Sequence, residues 1–356
     1  MSQYSTLKVK DIVRETEDAI TIVFENTKEK ISYKSGQFLT LIIPIEGEKH
    51  RRSYSLSSSP DCDENLAVTV KMIAGGKVST HLVKNLKKGD NMEVMHPLGT
   101  FTIECNYQNK RNVVLIGAGS GITPLISIAK SVLYNEPLSN VFIIYGNRNE
   151  NSIIFQGQLN NLKKEHGDRL NIVHVLSQPV SKLTLPSGRL NQTALIKLLE
   201  SFSTLNITSA DYFICGPHGL MDETKKALSI LEVHADKIHK ESFLPASDTT
   251  PGIVTETPAN DSTPSNEQEV TILYQGSEYK FNVPKGKTIL EAALKENIDL
   301  PYSCQSGMCT ACMGKCTSGK VKLDDPDGLS EKEIKQGFVL TCVGHPASAN
   351  VVIEID

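Results

Sequence analysis

Cysteine spacing constrains this chain more than any other feature of its sequence. Half of the eight cysteines lie between positions 304 and 316. Cys304, Cys309 and Cys312 have the spacing C-x4-C-x2-C, and Cys342 follows 30 positions after the third of them. The N-terminal sequence has no apolar segment of the kind found in secretory signals, so we expect a cytoplasmic location. In that compartment clustered cysteines indicate metal or redox chemistry rather than disulfides.

Two kinds of metal centre use four thiolates. This spacing is typical of proteins that hold a 2Fe–2S cluster, whereas structural zinc sites usually pair two C-x2-C segments and only one occurs here. The iron–sulfur cluster is therefore favoured over zinc, and a Rieske centre is excluded because no histidine is spaced to replace two thiolates. Gly307 would give the loop backbone conformations that a side chain forbids. Cys316 is expected to pack in a strand.

The segment Pro301–Cys312, together with Thr341–Cys342, closely resembles the plant-type ferredoxin family. The resemblance covers residues 269–356 and implies a β-grasp domain of the α+β class. It also implies that the cluster ligands are Cys304, Cys309, Cys312 and Cys342. Gln305 stands where many photosynthetic ferredoxins have arginine, a difference that affects potential or partner choice rather than ligation.

The rest of the chain divides by composition and by the order of its predicted strands and helices. At about 150 residues per domain, 356 residues predict two to three domains. Residues 1–106 alternate short strands with turns, which predicts an antiparallel β-barrel. Residues 107–245 alternate strands and helices, which predicts a doubly wound parallel sheet. Residues 246–268 are rich in Thr, Ser, Pro and Asn, which indicates a flexible linker, with an ordered surface loop as the alternative.

Charge and hydropathy exclude two classes of partner. The formal net charge is −4, which argues against nucleic acid. The longest apolar runs, such as Val113–Ile116 and Val141–Tyr145, are far shorter than the ~18 residues of a membrane span. We therefore expect neither nucleic-acid binding nor an integral membrane segment.

A flavin motif lies in the predicted barrel. Within Arg51–Ser58, the residues Arg52, Tyr54 and Ser55 form R-x-Y-S, which resembles the motif of the ferredoxin–NADP reductase family. An arginine fork suits a pyrophosphate, and a tyrosine ring can stack on the flavin. The resemblance implies that the Ser55 hydroxyl lies near flavin N5.

A second segment, Val70–Thr80, resembles the part of that family which receives the flavin phosphates at a helix N-terminus. Its spacing from Arg52 favours FAD over FMN, and an empty barrel is the remaining alternative. The candidate binding residues are Lys71, Gly75, Gly76, Lys77, Val78, Ser79 and Thr80.

The predicted parallel sheet carries a nicotinamide-nucleotide signature. A buried strand runs into a glycine-rich turn at Gly117, Gly119 and Gly121, which would place backbone amides at a pyrophosphate. Ile122 occupies the third glycine position of the usual fingerprint, so G-x-G-x-G-I-T-P resembles the reductase family's own version, with Thr123 approaching flavin and nicotinamide. The turn at Cys215, Gly216 and Pro217 resembles the family's C-G-P turn beside the nicotinamide ring. Without the two residues that follow it, Cys215 would be interpreted as a buried strand-end cysteine.

Cofactor preference depends on the end of the second parallel strand. Arg148 stands where NAD enzymes offer a carboxylate, which favours NADPH over NADH, although Glu150 lies nearby. A solvated arginine is the alternative interpretation of Arg148. Glu241 and Phe243 resemble the family's last strand and are expected near the flavin.

The order of the domains resembles the reductase components of multicomponent oxygenases, especially the phenylacetyl-CoA epoxidase reductase type. That resemblance implies hydride transfer from NADPH to FAD, positioned by Ser55, Thr123, Cys215 and Glu241, and then single-electron transfer through the cluster. The expected partner is a protein electron acceptor, an oxygenase or hydroxylase. A membrane desaturase, a P450-type enzyme or a free electron carrier are alternative acceptors, and a non-enzymatic redox sensor is the alternative class.

Overall fold

The computed structural model describes residues 4–27, 31–181, 186–243, 267–326 and 328–355. The chain divides into two compact units, residues 1–244 and 245–356. Within the described ranges, no helix is both long enough and apolar enough to cross a membrane.

The first half of the first unit is a six-stranded antiparallel sheet in the order β4-β3-β6-β1-β2-β5. Alternate residues point into its core, so Leu7 and Val9 on one strand and Val68 and Val70 on another are fully or almost fully buried. Its elements are β1 (Tyr4–Thr16), β2 (Ala19–Phe24), β3 (Phe38–Ile45), β4 (Glu48–Ser55), β5 (Ala67–Lys71), α1 (Lys77–Asn85) and β6 (Asn91–Leu98).

The second half is a five-stranded parallel sheet in the order β11-β10-β7-β8-β9. Its central strands are apolar throughout because helices cover both faces. The elements are β7 (Asn112–Ala118), α2 (Ile122–Asn135), β8 (Asn140–Asn147), α3 (Gln156–His166), β9 (Leu170–Leu176), α4 (Gln192–Ser201), β10 (Asp211–Gly216), α5 (His218–Ile230) and β11 (Ile238–Ser242).

The strand order of this sheet determines where a ligand binds. The chain builds outward from β7 through β8 to β9 and then returns to the other side of β7 at β10. In such sheets ligands bind outside the carboxyl ends of the strands, at the point where the order reverses. That point lies between β7 and β10, where Gly117 pairs with Cys215.

The second unit is a mixed five-stranded sheet in the order β13-β12-β18-β14-β16, with a two-stranded ribbon of β15 and β17. Helix α6 begins at a capping box in which the Thr288 hydroxyl accepts from the Glu291 N–H at 3.1 Å. The elements are β12 (Gln268–Tyr274), β13 (Ser277–Val283), α6 (Ile289–Lys295), β14 (Met313–Ser318), β15 (Val321–Leu323), α7 (Glu331–Lys335), β16 (Phe338–Leu340), β17 (Gly344–Pro346) and β18 (Val351–Ile355).

The predicted fold class is confirmed: an antiparallel sheet, a parallel α/β sheet and an α+β domain follow one another along the chain. Residues 246–266 of the predicted linker lie outside the described residues. Gln268, the last residue assigned to that linker, is already the first residue of β12.

Candidate active site and cluster loop

Strand β4 carries the R-x-Y-S residues at its end. Its register against β3 pairs Tyr54 with Leu39 and Ser55 with Phe38, so Arg52 and Tyr54 share a face and Ser55 points the other way. The Tyr54 ring packs against the barrel core. Burial raises the pKa of its phenol, which therefore stays neutral.

The Ser55 side chain connects the two halves of the first unit. Its buried hydroxyl donates a hydrogen bond to Glu241 Oε2 at 3.3 Å, across 186 positions of sequence. Glu241 lies on β11 directly beside Cys215 on β10. The structure thus brings together three of the four residues that the sequence analysis assigned to catalysis.

Burial controls the protonation of this group. It raises the pKa of Glu241 to about 8, against the opposing effect of the hydrogen bond from Ser55. Burial, reinforced by the neighbouring Glu241 carboxyl, raises the pKa of the Cys215 thiol well above its usual value. At neutral pH both side chains are uncharged, and Glu241 holds a proton beside the Ser55 hydroxyl.

The fourth residue, Thr123, is the second residue of α2 and directly follows the glycine-rich turn after β7. Its hydroxyl donates to the Ser120 carbonyl at 3.0 Å and so closes the turn at the start of α2. The buried Tyr145 hydroxyl donates to the Gly119 carbonyl at 2.9 Å. A side chain at Gly121 would place its Cβ 2.1 Å from the Cys215 carbonyl oxygen, so only glycine allows this turn to pack against β10.

A cavity of about 620 Å³ opens at the carboxyl ends of the parallel strands. Six of the predicted cofactor-binding residues line it: Lys71, Gly119, Arg148, Gly216, Pro217 and Phe243. Arg189, in the loop between β9 and α4, lines the same cavity and was missed by the sequence analysis. The only signal for it was a basic residue after the third parallel strand.

The second predicted flavin segment lies at the N-terminus of α1, which follows Gly76. Lys77 pairs with Glu46 at 2.9 Å, and the Ser79 hydroxyl accepts from the Ile73 N–H at 3.0 Å. The Thr80 N–H donates to the Gly76 carbonyl at 3.2 Å. The Val78 side chain is buried in the barrel core, so its backbone amide is the only part available to a phosphate.

In the second unit the four predicted cluster ligands come together. The Cys304 sulfur accepts from the Cys309 thiol at 3.2 Å and from the backbone N–H groups of Cys309 and Ser306 at 3.4 and 3.5 Å. The thiols of Cys309 and Cys342, with those backbone donors, lower the pKa of Cys304. Cys342 also contacts Cys312. Such donors stabilise the thiolate form that ligates iron.

A buried polar group beside these cysteines suits a bound cluster. Next to the first ligand, the buried Ser303 hydroxyl has no hydrogen-bond partner within the described part of the chain, and a cluster could supply one. Cys316 lies outside the set because its thiol donates to the Ser318 carbonyl at 3.2 Å.

Comparison with known proteins identifies each part. A model of oxidoreductase FAD-binding domains matches residues 6–103, one of oxidoreductase NAD-binding domains matches residues 115–226, and one of 2Fe-2S iron-sulfur cluster binding domains matches residues 272–347. One subunit of the 1,2-phenylacetyl-CoA epoxidase of Escherichia coli K12 is 34% identical over 100% of this chain and 99% of its own length. The chain belongs to the family of oxidoreductases that combine FAD-binding, NAD-binding and 2Fe-2S domains.

Two further comparisons agree with that assignment. The ferredoxin reductase component of 3-ketosteroid-9-alpha-monooxygenase from Rhodococcus rhodochrous is 35% identical over 98% of this chain and 96% of its own length. The solved structure of phthalate dioxygenase reductase superposes with a TM-score of 0.58 over 99% of this chain and 98% of that one, at 22% identity, and shows the same fold. The reductase is an NAD(P)H oxidoreductase, and the predicted FAD, NAD(P)H and 2Fe–2S cofactors are confirmed.

Proposed function

We propose that this reductase takes electrons from NADPH and delivers them singly, through FAD and the 2Fe–2S cluster, to a cytoplasmic oxygenase. A bound flavin accepts a hydride and can release electrons one at a time, which a nicotinamide cannot do. The relatives from Escherichia coli and Rhodococcus rhodochrous are components of an epoxidase and a monooxygenase, which supports an oxygenase as the acceptor. None of the eight cysteines, all of which the structure describes, is in a disulfide, and this supports a reducing compartment.

The hydrogen bond from Ser55 to Glu241 is the observation that carries this proposal. It joins the end of the R-x-Y-S strand to the last strand of the parallel sheet, beside Cys215 and at the topological switch point. We infer that Ser55 and Thr123 orient the reacting rings, while Cys215 excludes water from one side. Glu241 holds a proton within reach of the Ser55 hydroxyl.

We propose the following roles for the remaining site residues. Arg52 and the first turn of α1, at Gly76, Lys77, Val78, Ser79 and Thr80, would hold the FAD pyrophosphate, with Tyr54 against the flavin ring. The turn at Gly117, Gly119 and Gly121 would hold the NADPH pyrophosphate. Cys304, Cys309, Cys312 and Cys342 would ligate the cluster.

We also propose that NADPH is preferred over NADH. Arg148 and Arg189 line the same cavity as the glycine turn, so two guanidinium groups are available for a 2′-phosphate. Glu150 does not oppose this, because its carboxylate accepts from the backbone N–H groups of Val180 and Ser181 at 2.9 and 3.0 Å. Those bonds hold the carboxylate on the loop after β9.

Cofactor preference is tested by kcat/KM for NADPH and NADH in Arg148→Leu and Arg189→Leu. Loss of a charged hydrogen bond is expected to lower kcat/KM for NADPH about 10- to 100-fold, with little change for NADH. Arg14→Leu is the matched control, since Arg14 is on β1 and donates to the Glu17 carbonyl. Equal losses for both nucleotides would contradict the assignment.

The reaction itself is tested by stopped-flow spectroscopy of the purified protein. NADPH should bleach the flavin absorbance first and the cluster absorbance second. Ser55→Ala should slow the first phase about 100-fold, the order expected when one donor at a reacting atom is removed. A protein that binds FAD but shows no flavin reduction by either nucleotide would refute the proposed function.

A further inference from the structure

Helix α2 makes an extensive polar contact with the barrel half of the first unit. The helix begins beside Thr123, and Ser127 and Ser131 follow at intervals of four residues, so they lie along one side of it. All three side chains are at least 98% buried. A buried helix side built from hydroxyl groups is stable only if each hydroxyl has partners. Thr123 has its partner at Ser120, whereas Ser127 and Ser131 both contact the loop that follows Ser55.

Ser127 and Ser131 bind two successive parts of that loop, residues 57–63. The Ser127 hydroxyl donates to the Ser58 carbonyl at 2.6 Å. The Ser131 hydroxyl donates to the Asp61 carboxylate and lies 2.7 Å from the Ser59 hydroxyl and 2.5 Å from the Ser35 hydroxyl. Because a hydroxyl has a single proton and Asp61 takes that of Ser131, Ser35 donates to Ser131. The Ser59 hydroxyl lies within hydrogen-bond distance of both Ser131 and Asp61 Oδ2, the latter at 3.4 Å.

Lys130 adds a charged contact on the same side of the helix. Its ammonium group is 2.5 Å from Asp63 Oδ2, which also accepts from the Ser59 N–H at 2.6 Å. Lys130 is only 6% exposed. The Asp63 side chain is 30% exposed, so the pair is partly buried. An ion pair taken out of water in this way contributes little net stability compared with apolar packing, and its best-attested role is to specify one arrangement of the parts it joins.

A second connection joins the start of α3 to the same loop by way of β1. The Phe155 N–H, at the start of α3, donates to the Glu15 carboxylate of β1 at 3.3 Å. Glu15 accepts from Thr21, which is 2.8 Å from Thr69, and Thr69 is 3.0 Å from Ser57. The loop after Ser55 is thus held from both ends.

We propose that Ser127, Lys130 and Ser131 are positioning residues that set the distance between Ser55 and Thr123. Loop 57–63 begins two residues after Ser55, and the helix begins at the turn that holds Thr123. We call the contacts of Ser127, Lys130 and Ser131 with loop residues 58–63 the α2 latch, and these contacts fix the loop to the helix. Because a misplacement of about 1 Å in a reacting pair can cost about 100-fold in rate, such a latch controls hydride transfer. This inference rests on the proposed function, which places Ser55 and Thr123 at the reacting rings.

The test compares Ser131→Ala and Ser127→Ala with Ser201→Ala. Ser201 is a matched control because its hydroxyl also donates to a backbone carbonyl from a helix, but it lies on α4, remote from the latch. We expect both latch variants to raise amide hydrogen exchange in residues 57–63. At saturating NADPH we expect flavin reduction to slow about 10-fold at 25 °C, with the Kd for NADPH and the flavin content unchanged.

The outcomes separate a positioning role from a structural one. If a latch variant lowers Tm but leaves the limiting rate of flavin reduction unchanged at 25 °C, the residue is merely structural and the inference is wrong. Should Ser131→Ala fail to fold, Ser127→Ala, which removes one donor only, decides the question. If wild-type protein shows no flavin reduction, the proposed function fails. If hydrogen exchange in residues 57–63 is the same in the latch variants as in wild type, the α2 latch itself is refuted.

Discussion

Glu241 shows how the environment of a single residue changes its chemistry. Burial raises its pKa from 4.5 to about 8, so the folded protein binds a proton that the unfolded chain releases. The contribution of this proton to the free energy of unfolding is therefore fully present below pH 4.5 and is lost as pH rises through about 8. Glu241→Gln cannot ionise, so its Tm should fall less than that of wild type over this range.

Thermal unfolding across that pH range measures the difference. Glu200→Gln is the control, because Glu200 is exposed on α4, and the pH dependence of its Tm should match wild type. Parallel Tm curves for wild type and Glu241→Gln would show that Glu241 is already ionised at neutral pH.

Residue-level predictions from sequence are strongest where a motif is contiguous. The R-x-Y-S, G-x-G and C-x4-C-x2-C segments each place their residues within a few positions of each other. The α2 latch was missed because its partners are far apart in sequence. Arg189 was missed because the residues that share its cavity, such as Gly119 and Arg148, come from other loops. Lys130 and Asp63 are 67 positions apart, and nothing in the local sequence marks Lys130 as buried. Only the packing of α2 against the barrel brings them together.

At the scale of elements, the turn between β7 and α2 depends on close backbone contact. A methyl group at Gly121 would lie 2.1 Å from the Cys215 carbonyl oxygen. Gly121→Ala should therefore destabilise the first unit by about 3 kcal/mol and abolish NADP⁺ binding. Calorimetry and a nucleotide titration measure the two effects.

Gly157→Ala is the matched control, because nothing lies within 4 Å of a Cβ at this exposed position on α3. It should stabilise the protein by up to about 1 kcal/mol, as expected when glycine is replaced in a helix. Normal NADP⁺ affinity in Gly121→Ala would mean that the turn can move away from β10 without loss.

The cluster loop depends on glycine for both conformation and space. Gly307 has φ +72°, and a Cβ there would lie 2.6 Å from the Asp325 carbonyl oxygen. Gly276 has nearly the same conformation, φ +74°, with open space around it. Gly276→Ala should cost about 1 kcal/mol from backbone strain alone and retain the cluster. Gly307→Ala should assemble with less iron and sulfide, and equal content in the two variants would show that the contact with Asp325 does not matter.

The elements that sequence predicts well are those whose own residues carry the pattern. Buried parallel strands such as β7 and β8 are apolar throughout, and the expected cores Val113–Ile116 and Val141–Tyr145 lie inside them. Strand β4 is different, because Glu48–Ser55 is polar and has no apolar alternation. It is a strand because β3 pairs with all eight of its residues, and this is information that its own sequence does not contain.

The whole molecule separates two-electron from one-electron chemistry between its two units. Ser55, Thr123, Cys215 and Glu241 all belong to the first unit, and the four cluster cysteines all belong to the second. Loss of the cluster should therefore leave hydride transfer intact. A substitution that removes the cluster should consequently lower the rate at which the protein reduces one-electron protein acceptors but not the rate at which it reduces two-electron dyes.

Cys342→Ala tests whether two-electron and one-electron chemistry are separated in this way, with Cys316→Ala as its control. Both remove one cysteine thiol from the second unit, but Cys316 donates to the Ser318 carbonyl and is not a ligand. Cys342→Ala should lose the cluster absorbance and at least about 90% of the reduction of cytochrome c, because iron–sulfur clusters need all four thiolates. It should keep NADPH-dependent reduction of a two-electron dye, while Cys316→Ala behaves as wild type in both assays. If Cys342→Ala still reduced cytochrome c at the wild-type rate, electrons would be leaving directly from the first unit, and the cluster would not lie on the route to the acceptor.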